Sequence, residues 1–107
     1  MKIKILIAAM TLSWSSFSLG ADLANGKKIS AQCSVCHGKN GISKNPEAPH
    51  LAGMSSLYFK KSIEDYQKGN RQDRRMSLIA AMLKQDQIVD LAAWYESIEI
   101  EATLPEL

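Results

Sequence analysis

Cysteine is scarce in this chain: among 107 residues there are two, Cys33 and Cys36. Two thiols cannot build the multi-bridge framework that staples many small exported domains; at most they make one local disulfide. No alternating apolar–polar pattern persists, so a sheet is not expected, and helix signals dominate. There is no internal repeat and no low-complexity segment. One apolar run occurs, Ile5 to Trp14, too short to span a bilayer, and no second one follows it. Also missing are a paired general acid and base, a nucleophile constellation, a phosphate-cradling loop and a nucleic-acid-binding patch. These absences turn the reading away from hydrolases, nucleotide-dependent enzymes and nucleic-acid partners.

The amino-terminal residues have the layout of an export signal. Met1-Lys2-Ile3-Lys4 is a short basic start, the apolar run follows, and Ser18-Leu19-Gly20 before Ala21 is a small-residue cleavage site. Residues 1–20 are therefore expected to be a secretory signal peptide and residues 21–107 a single domain. The rival reading is an uncleaved anchor, but Thr11 and Ser13 break the apolar core early. No cysteine follows that core, so lipid attachment there is not expected. Export places the domain in the periplasm, with no membrane span after cleavage.

Charge is balanced in total and divided along the chain. Of 13 basic and 11 acidic residues, Lys2 and Lys4 leave with the signal, and the remainder is neutral. From Lys27 to Arg75 there are 10 basic and 4 acidic residues. Beyond Met76, Lys84 alone opposes Asp86, Asp90, Glu96, Glu99, Glu101 and Glu106. Such a division suits oriented docking on a charged partner, although most single charges simply keep a face solvated.

The two cysteines stand in Cys33-Ser34-Val35-Cys36-His37. Cys-x-x-Cys-His is the attachment signature of covalent c-type haem. On a helical turn two thiols three residues apart each reach one vinyl group of a porphyrin, and the next residue aims an imidazole at the iron. A disulfide is the plain alternative in an exported protein, but it has no need of His37. A zinc site from Cys33, Cys36, His37 and His50 is a nominal four-ligand set, made awkward by the adjacency of Cys36 and His37. A domain this small has a marginal core, and a large apolar cofactor supplies what the chain lacks.

Helices fill most of the rest. Asp22 is placed to cap a first helix running through Leu23, Lys27 and Ile29 to Cys33, with Gly26 marking a close helix crossing. Residues 38–53, rich in Gly, Asn and Pro, read as a loop. A second helix, capped by Ser55 or Ser56, takes apolar area from Leu57, Phe59, Ile63 and Tyr66 and ends at Gly69-Asn70 as a left-handed cap. After a basic turn over residues 70–75, Ser77 to Leu83 makes about two turns. Lys84 to Glu99 is amphipathic, with Ile88, Leu91, Ala92, Tyr95 and Ile98 at helical spacing. The tail beyond Ile100 frays.

A six-coordinate iron needs a second ligand, and the candidates are Met54, Met76, Met82 and His50. A thioether favours ferrous iron and a high potential; a second histidine lowers it. Met76, between the basic turn and the last helical region, is placed to approach from the face opposite His37. Met82 beside Leu83 reads as core, Met54 as packing, and His50 as a loop residue or propionate neighbour.

Four segments in order, Cys33-Ser34-Val35-Cys36-His37-Gly38, Pro49-His50-Leu51-Ala52-Gly53, Arg74-Arg75-Met76 and Leu91-Ala92-Ala93-Trp94-Tyr95, resemble the bacterial class I cytochromes c. The likeness is to the small periplasmic type found singly or as tandem two-haem proteins. It spans Ala21 to about Ile98. It implies a compact all-α fold with crossing terminal helices, thioether links at Cys33 and Cys36, and one haem c whose iron is held by His37 and Met76. It also implies that the Pro49 carbonyl accepts the free ring N–H of His37. The glutamine that usually follows the family's Pro-x-Leu-Ala-Gly is Met54 here, which keeps Met54 a minor rival ligand. The resemblance implies a non-enzymatic one-electron carrier, a monomer or weak dimer, that meets redox protein partners. An electron-accepting subunit of a periplasmic dehydrogenase, such as a sulfide-oxidising flavoprotein, is the alternative. Gas sensing or catalysis at the iron requires an easily vacated distal position.

Overall fold

The computed structural model describes residues 20–107; of the signal peptide expected over residues 1–20, residues 1–19 lie outside them. Five α-helices follow in order: α1 Leu23–Ile29, α2 Ser34–His37, α3 Ser56–Lys68, α4 Met76–Ala81 and α5 Gln85–Glu96. Among the described residues there is no β-strand.

Asp22 caps α1, its carboxylate accepting the amide of Asn25 at 2.9 Å. The expected continuous helix to Cys33 is not formed. Ser30–Gln32 is a 3-10 turn, in which Cys33 N donates to Ser30 O at 2.9 Å, and the chain re-enters α-helix as α2. The Ser30 hydroxyl donates to the carbonyl of Lys27 at 2.7 Å, a side-chain-to-backbone bond of the kind that tightens and ends helices.

The main packing is α1 across α5, with α3 on α5 and α4 on α3. The crossing depends on Gly26. A Cβ there would stand 2.2 Å from the carbonyl oxygen of Asp90 and 2.9 Å from Trp94 Cβ, so no other residue permits this approach. Asp90 completes the contact, accepting Asp22 N and Asn25 Nδ2, each at 2.8 Å. Lys27 lies over the Trp94 ring at 5.7 Å. The indole N–H of Trp94 is buried with no hydrogen-bond partner.

Helix α5 carries the core on one stripe: Ile88, Leu91, Ala92 and Tyr95 are all buried, at the spacing of one helical face. It begins where Lys84 N donates to Gln87 Oε1 and ends at Glu96, so Ile98 packs from beyond the helix. Phe59 and Ile63 of α3 meet that stripe, the Phe59 ring 5.7 Å from Tyr95. Ser55 is the α3 cap, accepting Tyr58 N, and Gly69 at φ 78° closes the helix in the left-handed region.

Two apolar expectations are corrected. Leu57 does not pack inward and is 75% exposed, because it lies two residues from Phe59, on the far side of α3. Met82 is not core and is 69% exposed. Helix α4 stops at Ala81, and successive i→i+3 bonds to Ile79 O and Ala80 O turn Leu83 inward in place of Met82.

Candidate cofactor site

Helix α2 carries the first part of the site, Cys36 and His37, with Cys33 just before it. His37 N donates to Cys33 O at 2.9 Å, so both thiols and the imidazole belong to one turn. The two sulfurs are not bonded to each other. Burial pushes the Cys33 thiol up, and a hydrogen bond with Tyr95 opposes it. Tyr95 is itself held far above the ordinary phenol range, first by burial and then by Cys33. Gly38, at φ 84°, ends α2, and a Cβ there would lie 2.0 Å from Ile42 O. The loop can therefore fold back immediately after His37.

That loop holds the imidazole. His37 is 7% exposed, and its Nδ1 lies 2.8 Å from the carbonyl oxygen of Pro49. A carbonyl only accepts, so Nδ1 carries the proton and Nε2 is left with its lone pair free for a metal. The loop is fixed internally as well. Gly41 O accepts Leu51 N and Ala52 N, Ser43 Oγ donates to Cys36 O, and Gly53 N donates to Tyr95 O, all within 3.0 Å.

Met76 opens α4, half-buried against the core cluster. Its backbone is tied to Asp73, whose Oδ1 accepts Met76 N at 2.8 Å and Arg75 N at 2.9 Å. Those two amides hold the Asp73 carboxyl below its usual range. Arg75 donates in turn to Glu47 Oε2 at 2.8 Å, on the loop that contains Pro49. Sequence reading missed Asp73, Glu47 and Arg75 as positioning groups. The available signal was Asp73 standing three residues before Met76, the spacing of a helix cap.

The rivals are placed elsewhere. His50 is exposed and accepts Ser43 N at its Nδ1, 2.7 Å away. Met54 packs on the core, and Met82 is the exposed residue described above. Among the described residues no group of three or more His, Cys, Asp or Glu side chains is arranged to hold a metal ion; the nominal zinc set is not assembled.

Beside Cys36 lies a groove of about 740 Å³ lined by Val35, Gly38, Lys39, Ile42 and Lys44. Val35 is 87% exposed. Lys39 and Lys44 border this surface.

A haem group is compatible with this residue set: two unpaired thiols and a buried imidazole with its outer nitrogen free lie on one turn, with a half-buried thioether on another helix.

The cytochrome c family model matches residues 23–99. The chain belongs to the cytochrome c family, as a class I c-type cytochrome, with that family's compact helical fold and covalently bound haem c. It is 36% identical over 81 residues to cytochrome c-554(548) of Halomonas halodenitrificans, a match covering 73% of this chain and 98% of that one. It is 30% identical over 102 residues to the thiosulfate dehydrogenase electron acceptor of Stutzerimonas stutzeri, covering 86% of this chain and 45% of that protein. Among solved structures it is similar to Acidithiobacillus ferrooxidans cytochrome c4, with a TM-score of 0.69 and 30% identity, covering 78% of this chain and 54% of that one. The chain thus spans about half the length of the last two relatives.

Proposed function

We propose that residues 21–107 form a periplasmic one-electron carrier with a single haem c, linked through Cys33 and Cys36 and ligated by His37 and Met76, and that residues 1–20 direct export. The observation that carries this reading is the pairing of His37 Nδ1 with Pro49 O at 2.8 Å on the turn that presents both thiols. When bound, haem c supplies exchange between ferric and ferrous iron. His37 offers Nε2, made more electron-donating by the Pro49 bond. Met76 would hold the iron as its second protein ligand, which would leave substrate no place to coordinate and suits a carrier in preference to an enzyme. Redox partners are met at the Val35 and Ile42 surface, where Lys39 and Lys44 orient an acidic protein. One Cys-x-x-Cys-His run in the chain supports one haem.

The test is a haem count and redox titration of protein matured by a c-type haem assembly system. One covalent haem per chain and a reversible one-electron wave are expected. Absence of covalent haem would overturn the reading.

A second reading follows from the relative named as an electron acceptor of thiosulfate dehydrogenase: an electron-accepting subunit of a periplasmic dehydrogenase, such as that enzyme or a sulfide-oxidising flavoprotein. A subunit co-purifies with its enzyme from the native host, whereas a free carrier is isolated alone.

A further inference from the structure

Helix α4 is poorly supported along its length. It has six residues, of which Ala80 alone is fully buried, and Leu78 is 69% exposed. A helix this short is not stable by itself, so contacts at its ends fix where it lies. At the carboxyl end, Gln67 Nε2 of α3 donates to Ala80 O at 2.9 Å and Leu83 O at 3.1 Å. At the amino end the support comes from Asp73. Its side chain accepts the amides of Arg75 and Met76, its backbone O accepts Ser77 N at 3.0 Å, and its own N donates to Ser77 Oγ at 3.1 Å. Asp73 thus closes a reciprocal cap around the residue that begins α4.

We propose that Asp73 is a positioning residue for the distal ligand: its cap holds the backbone of Met76 and so sets how much of the time the thioether stays on the iron. This rests on the His37/Met76 reading above. The Glu47–Arg75 pair is an outer brace on the same segment. It reaches back to the loop whose Pro49 carbonyl holds His37. Cap and ion pair are both exposed, and an exposed ion pair contributes less than a side-chain helix cap.

Loss of a side-chain cap shifts a local helix equilibrium by about fivefold. In Asp73→Ala the fraction of ferrous protein with an open iron, and with it the rate of carbon monoxide binding, is therefore expected to rise about fivefold. The long-wavelength methionine-to-ferric-iron band should weaken. Asp73→Asn keeps a carbonyl oxygen in the cap and should restore both readouts most of the way. Ser77→Ala removes only the reciprocal bond and should give a smaller effect of the same sign, which keeps the test decisive even if Asp73→Ala does not load haem. Unchanged carbon monoxide kinetics and an unchanged band in Asp73→Ala and Ser77→Ala overturn the positioning role. Wild-type protein without the band would instead overturn the Met76 reading, so the two failures are told apart.

Discussion

His37 is buried, gripped at its ring by Pro49 and covered by a loop tied to both α2 and α5. Met76 heads a six-residue helix with one fully buried residue, held at that end by an exposed aspartate and an exposed ion pair. The His37 side is built into the core. The Met76 side is fastened to it from outside. Local stability follows buried apolar contact, and elements held by solvent-exposed hydrogen bonds open first. Under the proposed His37/Met76 ligation, the Met76 segment is therefore the adjustable half, where exchange of the ligand would be set without disturbing the turn that carries the two thiols.

The largest effect is expected at His37. His37→Ala should abolish stable holoprotein, read as loss of covalent haem from matured protein. Met76→Ala should keep the covalent haem while the reduction potential falls and the ferrous protein binds carbon monoxide. If Met82→Ala or Met54→Ala gives that phenotype instead, the distal assignment is wrong. Gly26→Ala attacks the core on which both halves stand. With Asp90 O only 2.2 Å from the new methyl carbon, a loss of about 2–3 kcal/mol is expected in denaturant unfolding.

Smaller effects sharpen the contrast by touching the helix crossing and leaving the ligands alone. The hydrogen bonds from Asn25 and the Asp22 amide hold the Asp90 carboxyl below its ordinary value. A depressed carboxylate stabilises the fold above its unfolded pKa, and that contribution is lost as pH falls through the folded value. Asp90→Asn should therefore flatten the stability profile below about pH 3.8 and lower the melting temperature at neutral pH by a few degrees, with no change in the ferric methionine band. Trp94→Phe removes an indole N–H that has no partner and should cost less than about 1 kcal/mol.

The proximal half was the more legible in the sequence because its thiols and imidazole lie in five consecutive residues, and a helical turn brings them together without help from the rest of the fold. Gly26 announced the crossing for a similar reason, since a glycine inside a helical pattern implies a close approach. Ser55, Gly69 and the α5 stripe were readable from capping chemistry and periodicity. The break after Ile29 was not, because it depends on one serine hydroxyl turning to a carbonyl three residues back. Leu57 and Met82 were misread because apolar character alone does not say which side of a short helix faces inward. The Arg75–Glu47 brace joins residues 28 apart along the chain, and no local pattern marks such a pair.

The most direct measurement is the optical spectrum of the matured wild-type protein, oxidised, reduced, and reduced under carbon monoxide. A low-spin c-type spectrum, the weak long-wavelength methionine-to-ferric-iron band, and no rapid change on adding carbon monoxide are expected. A high-spin spectrum, or immediate carbon monoxide binding by the unaltered protein, would contradict a His37/Met76 electron carrier.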